Sequence, residues 1–147
     1  MQFSAEEIHL AKQLRYLGLP WEPQPGHYIW DEAGLIDQPS PFQERVYFIL
    51  DLKHFLRRSG TLDALKTSIV WLPTWHDARD ILAAMGVGHE VVAEALQGQA
   101  VLQHREELLT LYRLIACRLR EAVHARESTT AATAQLHAKP GSCISSP

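Results

Sequence analysis

Side chains capable of chemistry are most concentrated at residues 70–80, VWLPTWHDARD, where one histidine and two aspartates follow two tryptophans. His76, Asp77 and Asp80 belong to the residue types that serve as general acids, bases and ligands. The same letters also suit the end of a strand and the start of a helix, because Pro and Thr commonly mark such a boundary. The two interpretations place these side chains differently, and the local pattern decides between them.

The pattern at 70–80 favours a helix start. Pro73 ends an apolar extended run, and Thr74 is placed to cap the next helix while Asp77 returns the hydrogen bond. His76 and Asp80 are then four residues apart on the solvent side, where they pair weakly. They form a binding site only if another segment covers that face. The predicted buried face comprises Trp75, Ala78, Leu82 and Met85.

Two further histidines are candidates for a binding role. His27 lies in a predicted loop-to-strand entry near Trp21 and Trp30, a setting that fits a small pocket as well as an ordinary surface loop. His104 falls on the apolar stripe of the last predicted helix. A buried histidine there is a possible base or switch, although a core histidine hydrogen-bonded to its neighbours is the commoner arrangement.

Two Glu-x-x-His pairs raise the possibility of a di-metal helical bundle: Glu6 with His9, and Glu121 with His124. Such ligands must face the bundle core. Helical spacing instead places His124 on the face opposite Ile115, a residue of the apolar stripe. We therefore predict no metal and no cofactor.

Signatures of catalysis are missing from the sequence. It contains no Gly-x-Gly-x-x-Gly, Walker loop, Gly-x-Ser-x-Gly or His-Glu-x-x-His. Cys117 stands among apolar neighbours, which predicts a small buried hydrophobe rather than a nucleophile. These observations favour a non-enzymatic protein, and we assign no catalytic residue.

Composition predicts one soluble cytoplasmic domain without membrane or nucleic-acid partners. The 147 residues are 46% hydrophobic and 21% charged, with a net charge of −3 and two cysteines. No apolar run reaches the roughly 18 residues of a membrane span, and the amino terminus lacks a signal-peptide pattern. The acidic, aromatic segment 20–44 fits a loop and hairpin packed on the core, or else a binding surface.

The predicted fold is mainly α: a compact bundle of five or six helices with a small β-hairpin or β element. A capping box at Ser4 and Glu7 opens the first helix, and HYIW and LI at 27–36 form the hairpin. Ser40 and Pro41 predict the start of a central buried helix. Its residues 46–50, VYFIL, equally suit a strand, and we favour the helix. Shorter elements follow: helix TLDALK, extended SIVWL, helix 74–85 and helix HEVVAEALQ.

The last predicted helix begins near residue 99 and carries a broad apolar stripe. Leu109 and Leu114 flank that stripe, so we expect them to face a partner. Beyond it the composition turns to Ser, Thr, Ala and Gly, which predicts a disordered C-terminal tail. The predicted domain therefore spans residues 1–126, with a flexible tail at 127–147.

The function that these features favour is a non-enzymatic interaction or assembly module that binds a protein partner or itself. The alternative is a small-molecule-binding or hydrolytic protein with a His/Asp pocket. The binding candidates for that alternative are Trp21, His27, Trp30, His76, Asp80 and His104. The sequence does not indicate which small molecule would bind.

Overall fold

The computed structural model describes residues 2–98, 101 and 106–137, with side chains as far as residue 127. Within these residues the chain is mainly α with a small β part, as predicted. The helices are α1 (Ala5–Tyr16), α2 (Leu52–Ser59), α3 (Leu62–Ser68), α4 (Trp75–Ala84), α5 (His89–Leu96) and α6 (Glu107–His137). The strands are β1 (Tyr28–Asp31), β2 (Val46–Phe48) and β3 (Ile69–Leu72).

The three strands form one antiparallel sheet in the order β2-β1-β3. Trp30 stands opposite Val46 on one side and Val70 on the other, while Ile29 stands opposite Tyr47 and Trp71. Because side chains alternate along a strand, these two rows face opposite sides of the sheet.

Each face of the sheet packs on its own hydrophobic cluster. The Trp30 face joins residues of α1, α4, α5 and α6, including Leu14, Leu82 and Ile115. The Ile29 face joins residues of α2 and α3, including Phe55 and Leu65. A single compact bundle is therefore not confirmed, because the helices are divided between the two faces of the sheet.

Helix starts are the best-predicted local features. Ser4 and Glu7 form the expected capping box at α1, and Thr74 and Asp77 form a second one at α4. Thr61 caps α3 by accepting from the Ala64 amide at 3.1 Å. Each of these caps satisfies a backbone N–H that the first helical turn leaves unpaired.

The predicted hairpin is half right. Tyr28–Asp31 is a strand, but it pairs with β2 and β3 rather than with residues 35–36. The buried carboxylate of Asp31 accepts from the amides of Leu35 and Ile36, both at 2.9 Å. That local bonding holds residues 32–36 as a loop, because the amides are taken by a side chain instead of a strand.

The prediction of a central helix from Ser40 onward is wrong for residues 40–51, whereas Leu52–Ser59 are helical and end at Gly60. The Ser40 hydroxyl accepts from the Phe42 amide at 3.1 Å and donates to the carbonyl of Val46, which closes a turn. The Gln43 side chain bonds the backbone N–H and C=O of Phe3, each at 2.9 Å, instead of completing a capping box. Arg45 has φ of 61°, which ends any helix before β2.

Helices α4 and α6 differ from their predicted patterns, α4 in which residues it buries and α6 in where it ends. Trp75 is 38% exposed, with Arg79 over its ring at 5.0 Å, so only Ala78 and Leu82 of the predicted face are fully buried.

Helix α6 continues past residue 126 to His137. The flexibility of 127–147 stays a prediction, and residues 138–147 lie outside the described part. No helix in that part is long and apolar enough to cross a bilayer.

Candidate functional site

Two of the predicted binding residues, Trp21 and His27, meet in the folded chain and are joined by Trp71 of β3. The Trp21 indole N–H donates to Nδ1 of His27 at 2.8 Å. Trp71 stacks on Trp21 with ring centroids 5.8 Å apart and planes 9° apart, and on His27 at 5.0 Å. We call these three rings the aromatic cluster. Its members come from the loop after α1, the entry to β1 and β3.

His27 is held as a neutral ring. It is 8% exposed, and burial lowers its pKa below 6.5 against the opposing negative charge of Asp77. Because Nδ1 accepts from Trp21, the neutral ring carries its proton on Nε2. Nε2 lies 3.0 Å from the side-chain amide group of Gln24, and it donates to that group when the amide presents its oxygen rather than its nitrogen to the ring. Both ring nitrogens are therefore engaged, and the arrangement suits a structural or binding role better than a general base.

The other predicted binding residues do not join this cluster. Trp30 lies on the opposite face of the sheet, with Lys12 Nζ 3.8 Å from its ring centroid. His76 and Asp80 are exposed on α4, and the His76 ring stands edge-on to Trp75. His104 lies outside the described residues. The contacts in the described chain do not assemble a His/Asp pocket.

The predicted partner residues on α6 contribute to packing. Leu109 is 4% exposed, and Leu114 packs against the cluster that contains Tyr112 and Ile115. That they also contact a partner stays a prediction. Cys117 is exposed, contrary to the predicted buried position, and its Sγ donates to Glu121 Oε1 at 3.6 Å.

The acidic residues of segment 20–44 are mostly used within the fold. Glu32 pairs with Lys12 and Arg15. Desolvation raises the pKa of its carboxyl group, but the two cations together outweigh that effect, so the pKa is lowered. Asp37 pairs with Arg58 at 2.5 Å. These contacts connect the segment to α1 and α2, as the packed-loop interpretation predicts.

Sequence reasoning missed a groove between β2 and α2, which we call the β2–α2 groove. Its volume is about 390 Å³. Leu50, two residues after the end of β2, is 79% exposed at this groove. The sequence pattern that could have indicated this groove is the strand alternative for residues 46–50. A strand there leaves Leu50 beyond the last paired residue, whereas a helix would place it in the core. The other lining residues are Ile36, Gln38, Pro39, Pro41, Tyr47, Phe48, Asp51, His54, Phe55 and Arg58.

In the part of the chain that the structure describes, no three His, Cys, Asp or Glu side chains form a group that could hold a metal ion. Glu6, from one Glu-x-x-His pair, instead bonds Arg113 at 2.7 Å, and Glu121 of the other bonds Arg118 at 3.0 Å. No protein-family model matches the chain, and neither a curated protein nor a solved structure matches it.

Proposed function

We propose that the protein is a small non-enzymatic interaction module of the cytoplasm, which binds a protein partner in the β2–α2 groove. The observation that carries this proposal is the exposure of Leu50, 79%, beside a groove that also contains Phe48 and Phe55. Burying an apolar side chain of this size on a partner contributes about 1.5–3 kcal/mol. Aromatic and aliphatic side chains around a concave site are typical of binding centres.

Charge around the groove favours an acidic partner segment. Helix α2 exposes Lys53, Arg57 and Arg58, of which only Arg58 lines the groove, beside Asp51, and Arg58 pairs with Asp37. Among the described residues, neither Lys53 nor Arg57 has a carboxylate within 4.0 Å. A segment with apolar anchors would fill the groove, and Lys53 and Arg57 on the other faces of α2 would attract acidic residues that flank those anchors, which speeds association.

A protein other than a second copy fits this charge pattern better. The chain's own acidic segment already uses Glu22, Glu32 and Asp37 in ion pairs with Lys66, Arg15 and Arg58. Glu32 in particular is held by both Lys12 and Arg15, so it is not readily available to α2 of another molecule. We therefore propose a distinct protein partner, and treat self-association as a measurable alternative.

Recognition through side chains is more plausible than the addition of a strand to β2. The Val46 amide donates to the Gln43 carbonyl at 2.9 Å, and the Val46 carbonyl accepts from Ser40. A partner strand cannot pair with groups that are already bonded. The groove then offers apolar surface from Tyr47, Phe48 and Leu50.

The experiment compares two charge substitutions at exposed apolar residues. Leu50→Asp lies in the groove, and the control Tyr16→Asp lies at the end of α1, where Tyr16 is 91% exposed. Both variants should fold, because each side chain is mostly in water. We expect proteins captured from the native cell by wild type and by Tyr16→Asp to be lost with Leu50→Asp. Lys53→Glu should weaken the same capture, and salt should weaken it further.

An identical set of captured proteins with Leu50→Asp would refute the groove as the binding surface. Light scattering on purified protein tests the alternative of self-association. A mass near 16.6 kDa for wild type is the expected monomer. A dimer that becomes a monomer with Leu50→Asp would replace the distinct partner by a second copy.

A further inference from the structure

A cavity of about 140 Å³ lies where α1, the segment after it, α3 and β3 meet. An enclosed apolar space of about 150 Å³ in another protein accommodates benzene, so this cavity suits one small ring or a short branched chain. Four lining side chains are apolar or aromatic, and two are cations. They are Ala11, Leu19, Trp21, Trp71, Arg15 and Lys66. None of them lines the β2–α2 groove, so the two sites are independent.

The two cations differ in how firmly they are held. Arg15 Nη1 donates to the carbonyls of Thr67 and Ile69, each at 3.2 Å, while Nη2 bonds Glu32. This places the guanidinium rigidly at the cavity. Lys66 instead has one ion-pair partner among the described residues, Glu22 at 2.6 Å.

The Lys66–Glu22 pair is easily exchanged for another. The side chain of Glu22 is 77% exposed, whereas that of Lys66 is 28% exposed. A carboxylate that returns to water loses little, because exposed ion pairs are weak. An incoming anion at the cavity can therefore take over Lys66 while Glu22 is resolvated.

Trp71 forms a fixed aromatic wall of the same cavity, and its indole N–H is buried behind that wall. Its indole N–H is the one buried side-chain nitrogen or oxygen without a hydrogen-bond partner in the described chain. The ring cannot turn freely, because it stacks on both Trp21 and His27. A bound apolar group would therefore meet a ring that is already ordered, which keeps the entropy cost of binding low.

We propose that this cavity binds a small free carboxylic acid with one compact apolar or aromatic group, of about the size of benzoate. The anion pairs with Lys66, Arg15 adds positive charge, and Trp71 contributes the carbon atoms of its ring to the wall of the site. The apolar group packs against Leu19 and Trp21. The cations select the carboxylate and the cavity volume selects the size, so specificity arises from two separate properties.

The test follows the indole N–H signals by two-dimensional NMR as sodium benzoate is added. The chain has four tryptophans, and Trp71→Phe identifies the Trp71 signal by its loss. We expect a saturable shift of that signal, because the bound ring lies against the Trp71 ring, with a Kd on the order of 1 mM or tighter, as suits a fragment of this size. Benzamide has nearly the same shape without charge and should bind about tenfold more weakly. Acetate has the charge without the ring and should also bind weakly.

Two variants test the role of Lys66 separately from folding. Lys66→Gln should weaken benzoate binding about tenfold, whereas Lys53→Gln on α2 should leave it unchanged. Glu22→Gln removes the competing carboxylate from an exposed position and should tighten binding roughly two- to fivefold. Unchanged or weaker binding in Glu22→Gln would overturn the assignment of Lys66 as the anion's partner. Equal affinity for benzamide and benzoate, or no shift of the Trp71 signal up to about 20-fold above the expected Kd, would overturn the site itself.

Discussion

The hydroxyl group of Tyr112 connects α6 to the corner between β3 and α4, and its removal should be costly. It donates to the carbonyl of Pro73 at 2.5 Å, and both residues are buried. Burial also raises the pKa of Tyr112 well above 10, so the hydroxyl stays protonated and donates throughout the neutral range. Tyr112→Phe keeps the ring but leaves the Pro73 carbonyl without this donor. An orphaned buried acceptor costs about 1–3 kcal/mol in free energy of unfolding.

The matched control is Tyr47→Phe, which removes the same hydroxyl from the same kind of acceptor at the surface. Tyr47 donates to the Gln38 carbonyl at 2.7 Å in an exposed position, where water can replace it. We expect this variant to cost at most about 0.5 kcal/mol. Urea unfolding followed by circular dichroism measures both, with unchanged m values as the sign of an unchanged transition. For a chain of this size, a loss of about 2 kcal/mol lowers Tm by roughly 4–8 °C.

Equal costs for the two variants would refute the reasoning, because burial of the acceptor is the one difference on which it depends. A cost below about 0.5 kcal/mol for Tyr112→Phe would refute it too, since it would mean that the Pro73 carbonyl finds another partner without penalty.

Three further predictions concern a pH dependence and two helix ends. Because burial lowers the pKa of His27 in the folded protein, this residue contributes its full stabilisation above about pH 6.5 and less as the pH falls toward the folded pKa. In urea unfolding between about pH 7.5 and 5, His27→Gln should therefore lose less unfolding free energy than wild type. Equal losses in the two proteins would contradict this. Thr74→Ala removes the cap at α4 and should cost about 1 kcal/mol, against no loss for the exposed Asp80→Ala by the same measurement. Gly60 has φ of 81°, and a Cβ built at this position would have no atom within 4 Å. Gly60→Ala should therefore cost about 1 kcal/mol from backbone strain alone, and an unchanged Tm would contradict this.

Helix starts could be predicted because their signals are local. Ser4 with Glu7 and Thr74 with Asp77 each complete a capping box within three residues, so no distant partner is needed. The middle of the α6 stripe was predictable for the same reason, since helical spacing alone places Leu111 and Ile115 on one face. The assignment of Cys117 to the core failed because its neighbours in sequence were apolar while its own face of the helix is exposed.

The segment around β2 could not be assigned from local signals. Ser40, Pro41 and Gln43 match a helix start, yet Ser40 bonds Val46 and Gln43 bonds Phe3. The second contact spans 40 residues, which no local pattern can report. Strand pairing adds bonds from β1 to residues 46–48, whose Val, Tyr and Phe side chains themselves favour a strand over a helix.

The sequence by itself determined a mainly α chain with capped helices and a strand at Tyr28–Asp31, because caps, turns and apolar spacing act over a few residues. It also named Trp21 and His27 as neighbours worth attention. Only the tertiary structure brought Trp71 onto both rings, separated them from Trp30, and placed Arg15 and Lys66 beside the same cavity. Those residues lie up to 56 positions apart, from Arg15 to Trp71. Their meeting depends on which faces of the sheet the helices cover, and that is decided by packing of the whole chain rather than by any segment of it.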